Sequence, residues 1–101
     1  MTNMVLTALE AQVEERNVPK LTEAFVEAVA KLDPGIAETF LVRASKDPRL
    51  WRILTLWLSR ESLDAMRQTG ETPRGVLIFR AAGAEPVLTL FDIVARGVAP
   101  A

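Results

Sequence analysis

The sequence predicts an α+β domain of the ferredoxin-like type, in which a four-stranded antiparallel sheet carries its helices on one face. Two observations lead to this prediction. Stretches of period-two alternation, typical of strands, are separated by stretches of helical spacing. Prolines and glycines stand at the changes of pattern, where a helix or a central strand cannot continue. The resulting order is strand, helix, strand, strand, helix, an irregular segment and strand, which is the βαββαβ arrangement.

The first half of the chain contains the clearest helix, between two predicted strands. Residues 4–13 alternate in a period-two pattern that predicts a strand. Pro19 suits the first turn of a helix, and the apolar residues after it share one helical stripe: Leu21, Ala24, Phe25, Ala28, Val29 and Leu32. Asp33-Pro34-Gly35 ends this helix. Dense β-branched and aromatic residues then predict a strand at 36–44, with Ile36, Phe40 and Val42 on one face.

A hairpin is predicted in the middle of the chain. Residues 45–49 have turn chemistry and the length of a hairpin loop. The return strand at 50–58 places two tryptophans, Trp51 and Trp57, on one face. The alternative is an all-helical protein in which residues 48–69 form one buried helix.

The last third of the chain is less regular. Ser59 is a predicted N-cap of a short helix, which Gly70 ends. Residues 73–82 are compatible with a helical turn or with a strand. The final strand is predicted from Val87 to Ala95, before Gly97.

The composition excludes several classes of function. The 101 residues form a single domain, 1–101, and their net charge of −1 gives no general attraction for nucleic acid, so no nucleic-acid partner is expected. The chain has no histidine, cysteine or tyrosine. Imidazole bases, thiolate nucleophiles, disulfides and the usual zinc sites are therefore excluded, and its serines lack a histidine to activate them. We expect neither a metal nor a cofactor.

The sequence also bears on location. Its first residues lack the basic region of a signal peptide. The most apolar stretch, Leu50 to Leu58, is too short to span a bilayer and contains Arg52. We expect no membrane association and a cytoplasmic location.

The third and fourth predicted strands are apolar on both faces, although two helices can cover only one face of the sheet. The uncovered face is predicted to show six leucines: Leu50, Leu54, Leu56, Leu58, Leu88 and Leu90. Such a patch normally marks an interface. Burying it is worth on the order of 10 kcal/mol. We therefore expect a symmetric homodimer that packs sheet against sheet.

The run from Ile53 to Leu63, ILTLWLSRESL, resembles the antibiotic biosynthesis monooxygenase-like family of the dimeric α/β-barrel superfamily. In that family a strand often ends in tryptophan and is followed by a polar turn with serine and glutamate and then by a helix. The order of elements from Val5 to Ala95 is similar as well. The resemblance implies a ferredoxin-like protomer and a dimeric α/β barrel built from two sheets. Family members include cofactor-free oxygenases of quinols and anthrones, haem-degrading enzymes and isomerases.

By this resemblance Trp57 matches the tryptophan that lines the pocket in several active members. Leu58 departs from the polar residue that usually follows it. The haem-degrading members use an asparagine on the first strand and a histidine on the helix after the tryptophan. This chain has neither at those places, so haem degradation is not expected.

The candidate site combines the residues that these patterns place between sheet and helices. Trp57, Thr55, Phe25 and Met66 are predicted to line a pocket for a small apolar ligand, with Thr55 as a hydrogen-bond donor. Two basic residues of the hairpin are candidate anion contacts, namely Arg43 and Arg52. The candidates for a buried general base are two strand carboxylates, Glu10 and Glu38; the alternative is that both face solvent or pair with an arginine.

Two functions remain open at this point. The first is a small-molecule binding protein or a cofactor-free monooxygenase-like protein that acts on an apolar aromatic compound. The alternative is a non-catalytic homodimeric module whose interior is filled by its own side chains.

Overall fold

The ferredoxin-like α+β fold is confirmed by the computed structural model, which describes residues 3–100. Within that range a short 3-10 turn at Glu15–Asn17 precedes the first helix. The other elements, in chain order, are β1 (Val5–Gln12), α1 (Val18–Val29), β2 (Ile36–Arg43), β3 (Leu50–Trp57), α2 (Arg60–Gln68), α3 (Arg74–Ala81) and β4 (Val87–Asp92). The all-helical alternative is wrong, because β3 lies inside the segment it assigned to one helix.

The four strands form one antiparallel sheet in the order β2-β3-β1-β4. The first strand of the chain is therefore central, paired with β3 on one side and β4 on the other. The pairing of Val5 with Trp57 and of Gln12 with Leu50 sets the register of β1 against β3. Because residues directly opposite each other point to the same side, the odd-numbered residues of both strands face the helices.

The helices begin and end largely where their local signals predict. The Ser59 Oγ accepts a hydrogen bond from the Ser62 N–H at 3.1 Å, which caps the first turn of α2. Gly70 follows that helix with φ of 77°, the left-handed conformation that glycine adopts without strain. Helix α1 ends at Val29, so it is shorter than the predicted apolar stripe, which extended to Leu32. No helix among residues 3–100 has the length and apolar character needed to cross a membrane.

The segment at 73–82, for which a helical turn and a strand were both compatible with the sequence, forms helix α3. Helical spacing directs Ile78, Phe79 and Ala82 into the core, where all three are buried. The helix also lies close to the sheet at Gly75, where a Cβ atom would stand only 2.5 Å from the Leu9 Cδ1. Any larger residue at this position would require the end of the Leu9 side chain to move.

The core divides into a large and a small cluster of buried side chains. Leu21, Trp51 and Phe79 belong to the large one, under α1 and α3, and the side chains of Leu21 and Phe79 are fully buried. The small cluster consists of Val5, Trp57 and Leu63, at the opposite end of β3.

The side of the sheet that no helix covers is called the open face below, and its composition corrects one prediction. Leu88 pairs with Leu9, and Leu90 with Thr7, so both leucines of β4 point toward the helices rather than to the open face. Val87, Thr89 and Phe91 take their place there. The error has a physical reason: β4 is apolar on both faces, so only its pairing with β1 fixes which face is which.

A second correction concerns β2. The pairing between β2 and β3 has an irregularity between Ile36 and Glu38. It places Ile36 opposite Trp57 and therefore on the helix side, together with Thr39. Ile36 was predicted to share a face with Phe40 and Val42, which instead lie on the open face. An extra residue in one strand reverses the alternation on one side of it.

Candidate ligand-binding cavity

A cavity of about 600 Å³ lies between the helix side of the sheet and the helices. All four strands contribute to its wall, together with α1, α2, α3 and the loop that joins α2 to α3. Most of the wall is apolar. The volume falls within the range of ordinary small-molecule sites, roughly 300–1,000 Å³.

Trp57 forms part of the wall at the end of β3. Its side chain packs with Val5 and Leu63, and the residue is only 5% exposed. The indole Nε1–H donates a hydrogen bond to the Thr7 Oγ1 at 3.1 Å. The pair is buried, so this bond fixes the plane of the ring.

Three threonines stand side by side across the sheet next to this tryptophan. Thr7 of β1 is opposite Thr55 of β3, which is opposite Thr39 of β2. The hydroxyls of Thr39 and Thr55 are 3.0 Å apart. The Thr39 Oγ1 also lies 3.1 Å from the Leu54 carbonyl oxygen, and the Thr7 Oγ1 lies 3.5 Å from the Thr55 carbonyl oxygen. We call Thr7, Thr55 and Thr39 the threonine row.

The structure brings four of the predicted site residues together. Trp57, Thr55, Phe25 and Met66 all line the cavity, although they come from β3, α1 and α2. The sequence reasoning missed Thr7 and Thr39 as site residues. A weak signal was available for Thr7, a polar residue between Leu6 and Ala8 in a strand, whereas Thr39 follows Glu38 and carried no such signal.

The two predicted anion contacts lie elsewhere. The guanidinium carbon of Arg43 is 5.5 Å from the centre of the Trp51 ring, a cation–π distance. Arg52 lies on the open face, where its Nε donates to the Glu10 Oε1 at 2.6 Å. Neither arginine lines the cavity, because β-strand alternation directs Arg52 away from the helices and the position of Arg43 beside Trp51 takes it to the packed end of the sheet.

The two carboxylates considered as buried bases also lie outside the cavity. Glu10 pairs with Arg52 across the strands, and Glu38 is opposite Leu56. Both positions belong to the open face, so neither carboxylate is a buried base, and Glu10 instead forms an ion pair with an arginine, as the alternative predicted. Their side-chain direction follows from the alternation of β1 and from the irregularity in β2.

Ionisable side chains of the cavity wall lie on the helices and loops, away from the threonine row. They are Asp33, Arg67, Glu71, Arg74, Arg80 and Glu85. The Arg80 Nη2 contacts the Glu85 Oε1 at 2.8 Å. The hydrogen bond from Arg80 lowers the pKa of the Glu85 carboxyl below its ordinary value, and the same bond raises the pKa of Arg80. The described part of the sheet contributes hydroxyls to the cavity, and no ionisable group.

These features agree with a match to a known family. The family model described as "Antibiotic biosynthesis monooxygenase" matches residues 4–75, which is well over half of the chain. The chain belongs to the antibiotic biosynthesis monooxygenase family. The match includes the strand-end Trp57 and the Ser59 cap, and it stops within α3.

Solved structures give the same picture of the fold. A conserved protein from Methanosarcina mazei superposes with a TM-score of 0.71 at 13% identity, covering 90% of this chain and 93% of its own. A conserved protein of unknown function from Bacteroides thetaiotaomicron gives 0.69 at 22% identity, with 91% and 99% covered.

A third similar structure is SnoaB from Streptomyces nogalater, described as a cofactor-independent oxygenase. Its TM-score is 0.67 at 16% identity, with 99% of this chain and 100% of SnoaB covered. No curated protein sequence matches the chain significantly. At these identities the structural likenesses establish the fold alone.

Proposed function

We propose that this member of the antibiotic biosynthesis monooxygenase family binds a small apolar aromatic compound in the cavity beside Trp57. The observation that carries the proposal is a cavity of about 600 Å³ whose wall combines Trp57, Phe25 and Met66 with a few hydroxyls. An apolar wall with a small number of placed polar groups is typical of ligand sites. Phe25 and Met66 come from different helices, so a flat ligand would lie between them and the sheet.

The reaction we propose for this site is cofactor-free oxygenation of a compound that is itself easily oxidised. For an anthrone, one atom of O₂ would become the oxygen of a new carbonyl at the ring CH₂ group, and the other would leave as water with the two hydrogens of that group; the substrate itself supplies the electrons. The protein would orient the substrate against Trp57 and exclude bulk water. The match to the family described as "Antibiotic biosynthesis monooxygenase" supports this choice over other small-molecule roles.

Ligand binding can be tested with the two tryptophans as internal probes. Trp57 lines the cavity and Trp51 does not. In the variant Trp51→Phe, titration with anthrone or 1,4-naphthoquinone should quench the remaining emission with saturation. The matched variant Trp57→Phe should show much weaker quenching. Absence of saturable quenching in both variants, with each still folded, would contradict the proposal.

Oxygenation needs a separate measurement. With anthrone, the protein should consume one O₂ per quinone formed, faster than the uncatalysed oxidation. Saturable binding without accelerated O₂ uptake would support a ligand-binding role and contradict the proposed oxygenase activity.

The open face supports a homodimer, which is the assembly that the second candidate function, a non-catalytic homodimeric module, requires. Apolar side chains there are substantially exposed, including Phe40 at 46%, Val87 at 68% and Phe91 at 47%. An exposed apolar sheet face of this kind normally marks an interface. We propose that two copies pack through it. This dimer is compatible with either function, since the cavity lies on the opposite side of the sheet.

The dimer can be tested by light scattering behind a sizing column. The natural protein should elute with the mass of two chains at micromolar concentration. Phe91→Glu should shift it toward one chain, because a charge in the interface is costly to bury. Leu77→Glu is the matched control, since Leu77 is exposed to a similar extent, 51%, on α3. A monomeric natural protein would overturn the proposal.

These measurements distinguish the two proposed functions. A stable dimer that neither binds the aromatic compounds nor consumes O₂ would support the non-catalytic module.

A further inference from the structure

In the threonine row, the number of side-chain hydrogens that can be donated equals the number of acceptors within reach. Trp57 and the three threonines together carry four side-chain hydrogens that can be donated, one on each group. The structure offers four acceptors within hydrogen-bond distance: the Thr7 Oγ1, the Thr55 carbonyl, the Leu54 carbonyl and one of the two hydroxyl oxygens of Thr39 and Thr55. All four hydrogens can therefore be used inside the row.

One arrangement uses every hydrogen. The Trp57 N–H can only donate, so the Thr7 oxygen accepts from it and the Thr7 hydroxyl donates to the Thr55 carbonyl at 3.5 Å. The Thr39 hydroxyl donates to the Leu54 carbonyl at 3.1 Å. The bond between the two hydroxyls at 3.0 Å must then be donated by Thr55 to Thr39.

The opposite order is less favourable by one bond. If Thr39 donated to Thr55, the Leu54 carbonyl would lose its hydroxyl donor, and the Thr55 hydrogen would have no partner inside the row. Buried polar groups favour the arrangement that satisfies most of them.

In the favoured order Thr55 receives no hydrogen bond from the row, so its oxygen keeps both lone pairs. Thr55 lies on the cavity wall between the other two threonines. We propose that the Thr55 hydroxyl accepts a hydrogen bond from the bound compound, and that the cavity therefore selects aromatic compounds carrying a hydroxyl or N–H donor over those carrying only acceptors. This inference rests on the proposed ligand site and makes Thr55 a specificity-determining acceptor, the reverse of the donor role that its sequence position suggested.

The test uses three naphthalenes of similar size, 1-naphthol, 1-methoxynaphthalene and 1-naphthaldehyde, titrated into the full chain by calorimetry. 1-Naphthol should bind about tenfold more tightly than either of the others, the upper range for one well-placed hydrogen bond. Thr55→Val should reduce that ratio to about one. Thr22→Val is the matched control, because its hydroxyl bonds to the Val18 carbonyl on α1, away from the cavity, and the tenfold ratio should persist.

A second variant probes the direction of the bonds. Thr39→Val removes the acceptor of the Thr55 hydrogen, which then becomes free to point into the cavity. Affinity for 1-naphthaldehyde should rise relative to the natural protein, a gain that loss of structural support would not produce.

The outcomes are distinct. If all three naphthalenes bind with equal affinity, or if 1-naphthol keeps its advantage in Thr55→Val, the selection by Thr55 is overturned while the ligand site stands. If none of the three binds, the ligand site itself fails. A loss of affinity for 1-naphthaldehyde in Thr39→Val would reject the proposed order of hydrogens.

Discussion

Trp51 and Trp57 lie on the same strand and the same face, six residues apart, yet they occupy different kinds of interior. Trp51 belongs to the large buried cluster with Leu21 and Phe79, and its indole Nε1 is buried without a hydrogen-bond partner among the described residues. Trp57 lines the cavity, and its Nε1 is bonded to Thr7. At the packed end of the sheet the indole N–H is therefore unpaired, whereas at the hollow end, the end with the cavity, it is hydrogen-bonded.

This contrast indicates how the fold divides its tasks. Apolar packing under α1 and α3 supplies stability at one end, where a single unpaired N–H is tolerated. At the other end α2 covers Trp57 through Leu63 and Met66, and hydrogen bonds join the Trp57 N–H and the threonine row beside the cavity. Packing against Val5 and Leu63 and the hydrogen bond to Thr7 together hold the Trp57 side chain at the cavity wall.

Truncation of one side chain at each end should give the largest difference. Leu21→Ala at the packed end should lower the free energy of unfolding by about 2–5 kcal/mol, since it opens a cavity in close-packed core. Met66→Ala at the hollow end should cost about 1 kcal/mol, because Met66 is only partly buried and already borders empty space. Urea denaturation of both variants measures the two values. Equal losses would show that the two ends are packed alike.

The bond between Trp57 and Thr7 should give an intermediate effect. Thr7→Val leaves the Trp57 N–H buried and unpaired, which should cost about 1–3 kcal/mol. In a double-mutant cycle with Trp57→Phe, the coupling energy should be about 1 kcal/mol, because the two changes remove the same bond.

The matched cycle uses Trp51→Phe with Thr7→Val. These side chains share no bond, so their effects on the free energy of unfolding should add within about 0.5 kcal/mol. A coupling as large as that of Trp57 would contradict the division into two ends.

The smallest effect is expected at the exposed pair of Arg80 and Glu85. Arg80 lowers the pKa of the Glu85 carboxyl below its ordinary value of 4.5, so the stabilisation is present above that pH and is lost as pH falls through the lowered pKa. Glu85→Gln should therefore lower the unfolding midpoint slightly at pH 7 and not at all in strong acid. A difference that grows on acidification would contradict this sign.

Much of the fold could be predicted because its local signals agree with its packing. The alternation of β1 and β3, the Ser59 cap and the Gly70 stop are read within a few residues of sequence. The face of β4 that points to the helices could not be predicted, because Leu88 and Phe91 are both apolar. Only the pairing of β4 with β1 decides which of them points inward. The irregularity in β2 changes the face of Ile36 for the same kind of reason.

Site residues could be predicted where the sequence around a single residue identifies it. They could not be predicted where the site depends on how several strands pair. Trp57 stands out by its position at a strand end, and Thr55 by its spacing from it. Thr7 and Thr39 become neighbours of Thr55 only through the register of three strands. The arginines Arg43 and Arg52 were grouped by closeness in sequence, which a hairpin does not convert into a shared face.

The order of the strands has a consequence for how the chain is made. β1 is synthesised first but occupies the middle of the sheet, with partners that begin at Leu50 and Val87. One edge of β1 stays unpaired until β3 ends at Trp57 and the other until β4 ends at Asp92, and such long-range closure slows folding. A chain that stopped before β4 would leave one edge of β1 unpaired, open to strands of other molecules. Pairing with β4 covers that edge and makes the shorter β4 (six residues against eight in β1) the edge of the sheet, and a short edge strand offers less backbone for pairing with another chain.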